Sequence, residues 1–87
     1  MENAWGRIPL SGAGNNVDIK AGSSTSPFQT EEEVVFTIPF GSTPTVVLTP
    51  TDDVGTWITE VTKSSFKWNN SAKNGEVTVH WIALGNT

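Results

Sequence analysis

The sequence predicts an all-β fold, a small antiparallel β-sandwich of six to seven strands. Three observations carry that expectation. Apolar residues recur with a period of two, turn-forming residues interrupt the chain about every eight to twelve positions, and no segment has the 3.6-residue period of an amphipathic helix.

The strongest strand signal is Glu76 to Gly85, EVTVHWIALG, where Val77, Val79, Trp81 and Ala83 alternate with Glu76, Thr78, His80, Ile82 and Leu84. Both faces become apolar from Trp81 to Leu84, which suits a central strand covered on one side by a second sheet or a neighbouring subunit. The rest of the chain is expected to pack on it.

Earlier segments follow in order. Residues 1–22 hold two apolar pieces, Trp5 to Leu10 and Val17 to Ile19, separated by the loop Ser11-Gly12-Ala13-Gly14-Asn15-Asn16. Gly12-x-Gly14 echoes a phosphate-binding loop, but no helix pattern follows it. Residues 21–30, AGSSTSPFQT, read as a loop or extended arm anchored by Phe28. Residues 1–30 are thus expected to be a strand and loop arm that packs on or links the domain, and residues 31–87 to be the sandwich, one compact domain overall.

Glu31-Glu32-Glu33 leads into VVFTIPF, which places Val34, Phe36, Ile38 and Phe40 on one face, with Pro39 marking an edge or bulge. Three consecutive acidic side chains of an extended segment point alternately to opposite faces, so they are read as a solvated lead-in and not as a metal site. After the Gly41-Ser42-Thr43-Pro44 turn comes TVVLT, rich in β-branched residues, and then the loop Pro50 to Gly55. Asp52 and Asp53 there fit Asx-type turns first and ligand contact second, because the alternating ligands of a calcium loop are missing. WITEVTK alternates Trp57, Thr59 and Val61 against Ile58, Glu60 and Thr62. Phe66 and Trp68 share a side of the next short strand, and NNSAKNG, ending in Asn74-Gly75, reads as a hairpin loop into the last strand.

Composition narrows the function. The chain has 87 residues, no cysteine and a formal charge of −4, so a disulfide framework, a thiolate metal site and the basic footprint of a nucleic-acid binder are all missing. A core this thin is commonly reinforced by oligomerisation. No apolar run is long enough for membrane insertion, and Met1-Glu2-Asn3 does not begin a signal peptide. Synthesis in the cytoplasm and release by lysis within a larger particle, as a virion or extracellular component, is the expectation; starting at Met1, it fits a stand-alone component that needs no upstream fibre.

Sugars are gripped by an aromatic face against their C–H surface and by amides and carboxylates on their hydroxyls. Trp57 and Trp68, beside polar loops, divide evenly between packing and such binding, whereas Trp5 and Trp81 read as packing residues. His80, the sole histidine, has Thr78 and Ile82 as same-face neighbours and no acid or nucleophile, so an exposed or interface histidine is expected. Six glutamates and three aspartates give nominal carboxylate pairs, but a glycosidase needs two at a set separation in a cleft that a thin sandwich rarely encloses. The expectation is a protein that is not an enzyme, with no catalytic residues, metal or cofactor.

VVFTIPFGSTPTVVLTPTDD, followed by a Phe-containing strand and then VTVHWIALG, resembles the H-type lectin domain and its relatives at the C-termini of bacteriophage tail fibres. The shared pattern is Pro39-Phe40, Thr43-Pro44, Val46-Val47, Asp52 or Asp53, Ser65-Phe66 and His80-Trp81-Ile82-Ala83-Leu84-Gly85, over residues 33–85. The resemblance implies a six-stranded sandwich that assembles as a trimer or a trimer of dimers, with sugar held at the subunit boundary. In the lectins an acidic residue near the N-terminus, an arginine of a middle strand, and a Trp-His pair and tyrosine before the last strand hold the sugar. Trp68-Asn69-Asn70 stands where the Trp-His segment would be, and Asn16 or Asp18 where the acidic residue would be. This chain has no tyrosine, carries Glu60 and no arginine in the middle strand, and has a shorter hairpin, so the lectins' own sugar specificity does not transfer.

The candidate ligand residues are therefore Trp57, Trp68, Asn69, Asn70, Asp52, Asp53, Asn16 and Asp18. Expected partners are identical subunits in a trimer or a multiple of three, a host surface glycan, and another virion protein through the N-terminal arm. Two function classes follow: a tail-fibre recognition module, or a structural virion component, such as a decoration or fibre protein, that binds no sugar.

Overall fold

The computed structural model describes residues 17–87, which form six strands: β1 (Val17–Pro27), β2 (Glu32–Val35), β3 (Thr45–Pro50), β4 (Thr56–Val61), β5 (Ser65–Asn70) and β6 (Glu76–Asn86). They make two three-stranded antiparallel sheets, ordered β1-β6-β3 and β2-β5-β4, the small sandwich expected from the sequence. The N-terminal apolar piece, the Ser11 to Asn16 separator, Trp5 and the arm's attachment role lie outside the described residues.

β6 is the central strand of its sheet. Its Val77, Val79, Trp81 and Ala83 face inward and are buried, against Phe66 and Trp68 of β5 and the Phe36 and Phe40 rings. Phe36 meets Phe40 edge-on at 5.1 Å and leans on Trp81 at 5.8 Å, and Phe66 meets Trp81 at 5.4 Å. Each fully buried side chain of this size contributes about 1.5–3 kcal/mol by leaving water, which makes the aromatic cluster the main source of cohesion.

β1 pairs with β6 along all of its 11 residues, Val17 opposite Asn86 to Pro27 opposite Glu76. The serine-rich stretch expected to be a loop or extended arm is therefore a strand of the sandwich up to Pro27. Its inward positions are small for a reason. Ser24 Oγ accepts a 2.9 Å hydrogen bond from the Trp68 indole, and Gly22 lies so close to Trp81 that a Cβ there would be 3.0 Å from the ring. Outward, the Thr25 and Thr78 hydroxyls share a 2.8 Å bond across the strands.

Three local readings are corrected. The 71–75 loop does not close a hairpin: β5 and β6 belong to different sheets, and the loop carries the chain from one to the other. Of the five connections only β4 to β5 stays within a sheet. VVFTIPF is extended only to Val35. Phe36 N–H donates to Ser64 O and Phe40 N–H to Lys63 O, and between these anchors the chain bows outward and leaves Ile38 exposed. In β4 a bulge between Ile58 and Glu60 resets the alternation, so Ile58 and Val61 both turn inward and Trp57 turns out.

Gly75 has φ 74°, the left-handed region expected of an Asn-Gly turn. A Cβ there would meet nothing within 4 Å, so Gly75→Ala isolates the backbone term. The expected cost is about 1 kcal/mol, read as a lower urea midpoint with unchanged slope.

Candidate functional site

Antiparallel pairing of β4 with β5 sets Trp57 directly opposite Asn69, both on the outer face of the β2-β5-β4 sheet. Trp57 is 45% exposed, an unusual state for an indole with a core available to it. Asn69 Oδ1 accepts the Asn70 N–H at 2.7 Å, which orients the amide, while no described residue engages its Nδ2. Further along this face Lys67 faces Glu33 of β2 and Glu60 of β4, with a 3.3 Å Lys67–Glu60 contact. Thr59, the bulge residue, donates to Glu31 Oε1 at 2.9 Å.

The hydrogen bond to Glu60 raises the Lys67 pKa, the Glu60 and Glu31 charges add to this, and desolvation opposes it. The face thus offers one aromatic plane, one amide, a hydroxyl and a carboxylate cluster around a single ammonium. That donor set matches a hydroxyl-rich ligand with an apolar underside.

Asp52 and Asp53 occupy the loop just before β4, at the Trp57 end of the molecule. Val54 N–H closes a turn on Asp52 O at 2.9 Å. The loop is tied to the 71–75 loop through Gly55 and Ser71, whose backbone and hydroxyl groups bond in both directions. Both aspartates remain exposed, in the loop that leads into β4.

Other expected ligand residues fall elsewhere. Trp68 is fully buried, and its one polar atom is spent on Ser24. Asn70 is equally buried: its Oδ1 accepts from Gln29 N–H at 2.8 Å and Ala72 N–H at 3.2 Å, and its Nδ2 donates to Pro27 O at 3.1 Å. Both are corrected from ligand contacts to structural residues, since neither has surface open to a solute. Asn70 and the buried Ser26, which donates to Thr30 O at 2.7 Å, pin the β1–β2 corner, where Gln29 holds φ 51°.

Asp18 lies opposite Gly85, six residues along β6 from the Val79–Pro50 pair that precedes the aspartate loop, or about 20 Å. It bonds Lys20 Nζ at 2.7 Å, which is the leading cause of its lowered pKa, and Lys20 in turn sits 4.9 Å over the Phe40 ring. Asp18 therefore does not join the Trp57 face. Asn16 lies outside the described residues. His80 is exposed between Ser23 and Thr49 on the outer face of the other sheet.

The sequence reading missed Lys67, Glu60, Thr59 and Glu33 as companions of Trp57. Strict alternation in β5 carried the signal for Lys67: if Phe66 and Trp68 point one way, Lys67 and Asn69 point the other.

No family model matches the chain, and no curated protein does. Among solved structures it is similar to the C-terminal fragment, residues 323–691, of the R2 pyocin fibre of P. aeruginosa, with a TM-score of 0.68 at 18% identity. The two share a fold. The match takes in 99% of this chain but only 30% of the pyocin fragment, so this chain spans under a third of that structure.

Proposed function

We propose that this chain is a non-enzymatic recognition module of the phage or prophage tail-fibre type, contacting a cell-surface carbohydrate as a trimer. The observation that carries the reading is the exposed Trp57 indole opposite Asn69, with Asp52 and Asp53 in the loop that leads into β4. The fold shared with a pyocin fibre supports the fibre-type role and a virion-associated location. The site differs from the one the lectin resemblance implied, because Trp57 replaces the buried Trp68 as the aromatic plane.

A glycan-array screen tests it. The wild-type chain is expected to bind a limited set of glycans, and Trp57→Ala to weaken that binding about tenfold, the value of one aromatic contact of about 1.4 kcal/mol. Absence of glycan binding would overturn the recognition reading. A second reading, a structural virion component without sugar binding, is favoured by the exposed apolar side chains Ile19, Val47, Ile82 and Leu84 on the outer face of the β1-β6-β3 sheet. Tight association with a virion protein and an empty array would establish it.

A further inference from the structure

The loop between β5 and β6 contains Asn74-Gly75, the only asparagine–glycine step in the chain. The residues around it are anchored. Ser71 N–H donates to Gly55 O at 3.0 Å, Ala72 N–H donates to Asn70 Oδ1 at 3.2 Å, and Gly75 O accepts the Phe28 N–H at 2.9 Å. Asn74 is exposed between these anchors, and among the described residues neither its side-chain amide nor the Gly75 N–H makes a hydrogen bond. A Cβ on Gly75 would meet nothing within 4 Å, so the space beside this step is open.

The other described asparagines stand differently. Asn69 and Asn70 are paired with Trp57 and Thr56 across the β4–β5 ladder, which fixes their backbone, and Asn70 N–H is donated to Asn69 Oδ1. The nitrogen after Asn70 is that of Ser71, already bonded to Gly55 O, and the Asn70 amide is buried. Asn86 is followed by Thr87, whose β-branch crowds its own nitrogen.

We propose that Asn74 is a site of spontaneous deamidation, with the Gly75 nitrogen as the attacking group and water as the co-reactant, and that the conversion loosens the junction of β1 with β6. The Gly75 nitrogen loses its proton and attacks Asn74 Cγ. The new N–Cγ bond forms as the Cγ–Nδ2 bond breaks, and ammonia leaves, carrying off a proton in place of the one lost by the nitrogen. The product is a cyclic imide, which glycine permits because no side chain crowds the attacking nitrogen. Water then opens the ring. Breaking the N–Cγ bond gives aspartate, and breaking the bond from the nitrogen to the main-chain carbonyl carbon gives isoaspartate. Either product adds one negative charge to a chain whose formal charge is −4. Isoaspartate also routes the backbone through the β-carbon and lengthens it by one methylene. Gly75 O then shifts from the Phe28 N–H, the bond that continues the β1–β6 pairing beyond Pro27 and Glu76.

Peptide mapping by mass spectrometry tests the chemistry on the wild-type chain, incubated in mildly alkaline buffer either folded or in guanidinium chloride. Asn74 is expected to convert in the folded chain within about threefold of its unfolded rate, whereas folding slows Asn69 and Asn70 at least about tenfold. The Asn74 rate is expected to rise about tenfold per pH unit, because the deprotonated nitrogen is the attacking species. Isoaspartate among the products marks the cyclic route, and Asn74→Gln is expected to abolish the more acidic species. Protection of Asn74 by more than about tenfold on folding, or faster conversion of Asn69 or Asn70, would overturn the site. Aspartate alone, with no isoaspartate, would overturn the route. Hydrogen exchange on charge-separated fractions tests the structural consequence: the Phe28 amide is expected to exchange faster in the isoaspartate form and to keep its wild-type rate in Asn74→Asp. Unchanged exchange in the isoaspartate form would overturn the coupling to β1.

Discussion

Trp68→Ala is expected to lower stability by about 3–5 kcal/mol, a large part of the roughly 5–15 kcal/mol available to a domain. Two causes act together. The indole is wholly buried between the sheets, so its removal forfeits the transfer free energy and leaves a cavity beside Phe66 and Ile58 that two short sheets close poorly. It also strands Ser24 Oγ, which accepts the indole N–H. Urea denaturation is the measurement. Trp57→Ala, cut from an exposed position, is the matched control and is expected within about 0.5 kcal/mol of wild type. Equal losses in the two variants would contradict the assignment of one tryptophan to the core and the other to the surface.

Asn70→Ala is expected to cost about 3 kcal/mol although it deletes only a small side chain. The amide is the hub of the β1–β2 corner, and its loss leaves the Gln29 and Ala72 N–H groups and the Pro27 carbonyl without that partner at a partly buried corner. A stranded buried group costs about 1–3 kcal/mol, and partial relaxation toward solvent keeps the sum below three full penalties. Thermal unfolding, together with hydrogen exchange at Gln29 and Ala72, checks the result. The expected pattern is a lower midpoint with faster exchange concentrated at those two amides. A uniform rise across the molecule would mean that Asn70 contributes only to global packing.

The fold was legible because β6 carries its pattern without interruption. Val77, Val79, Trp81 and Ala83 keep strict alternation, and all four are buried. Sheet membership was not legible, since Asn74-Gly75 specifies a tight turn whether the chain returns to the same sheet or crosses to the other. β1 was half hidden, because Ser24 and Ser26 look like loop residues until the Trp68 indole and the Thr30 carbonyl are seen to need their hydroxyls. The site was legible in residue type and not in position. Trp57 and Asn69 were both named, yet only pairing across β4 and β5 brings them together, and the bulge that sets Trp57 and Val61 on opposite faces leaves no mark in the alternation of WITEVTK. Asn70 was read as a sugar ligand because an amide beside a tryptophan has the right chemistry, but burial assigns that chemistry to the protein's own backbone.

The placement of β6 bears on the order in which the molecule can come into being. β1 and β3 have no ladder with each other, and both are held by the strand synthesised last among the six. While residues 76–86 remain in the ribosomal exit tunnel, the nascent chain can zip only the β2-β5-β4 layer, whose apolar underside then has no roof. Closure of long loops must precede most of the stabilising pairing, which slows folding.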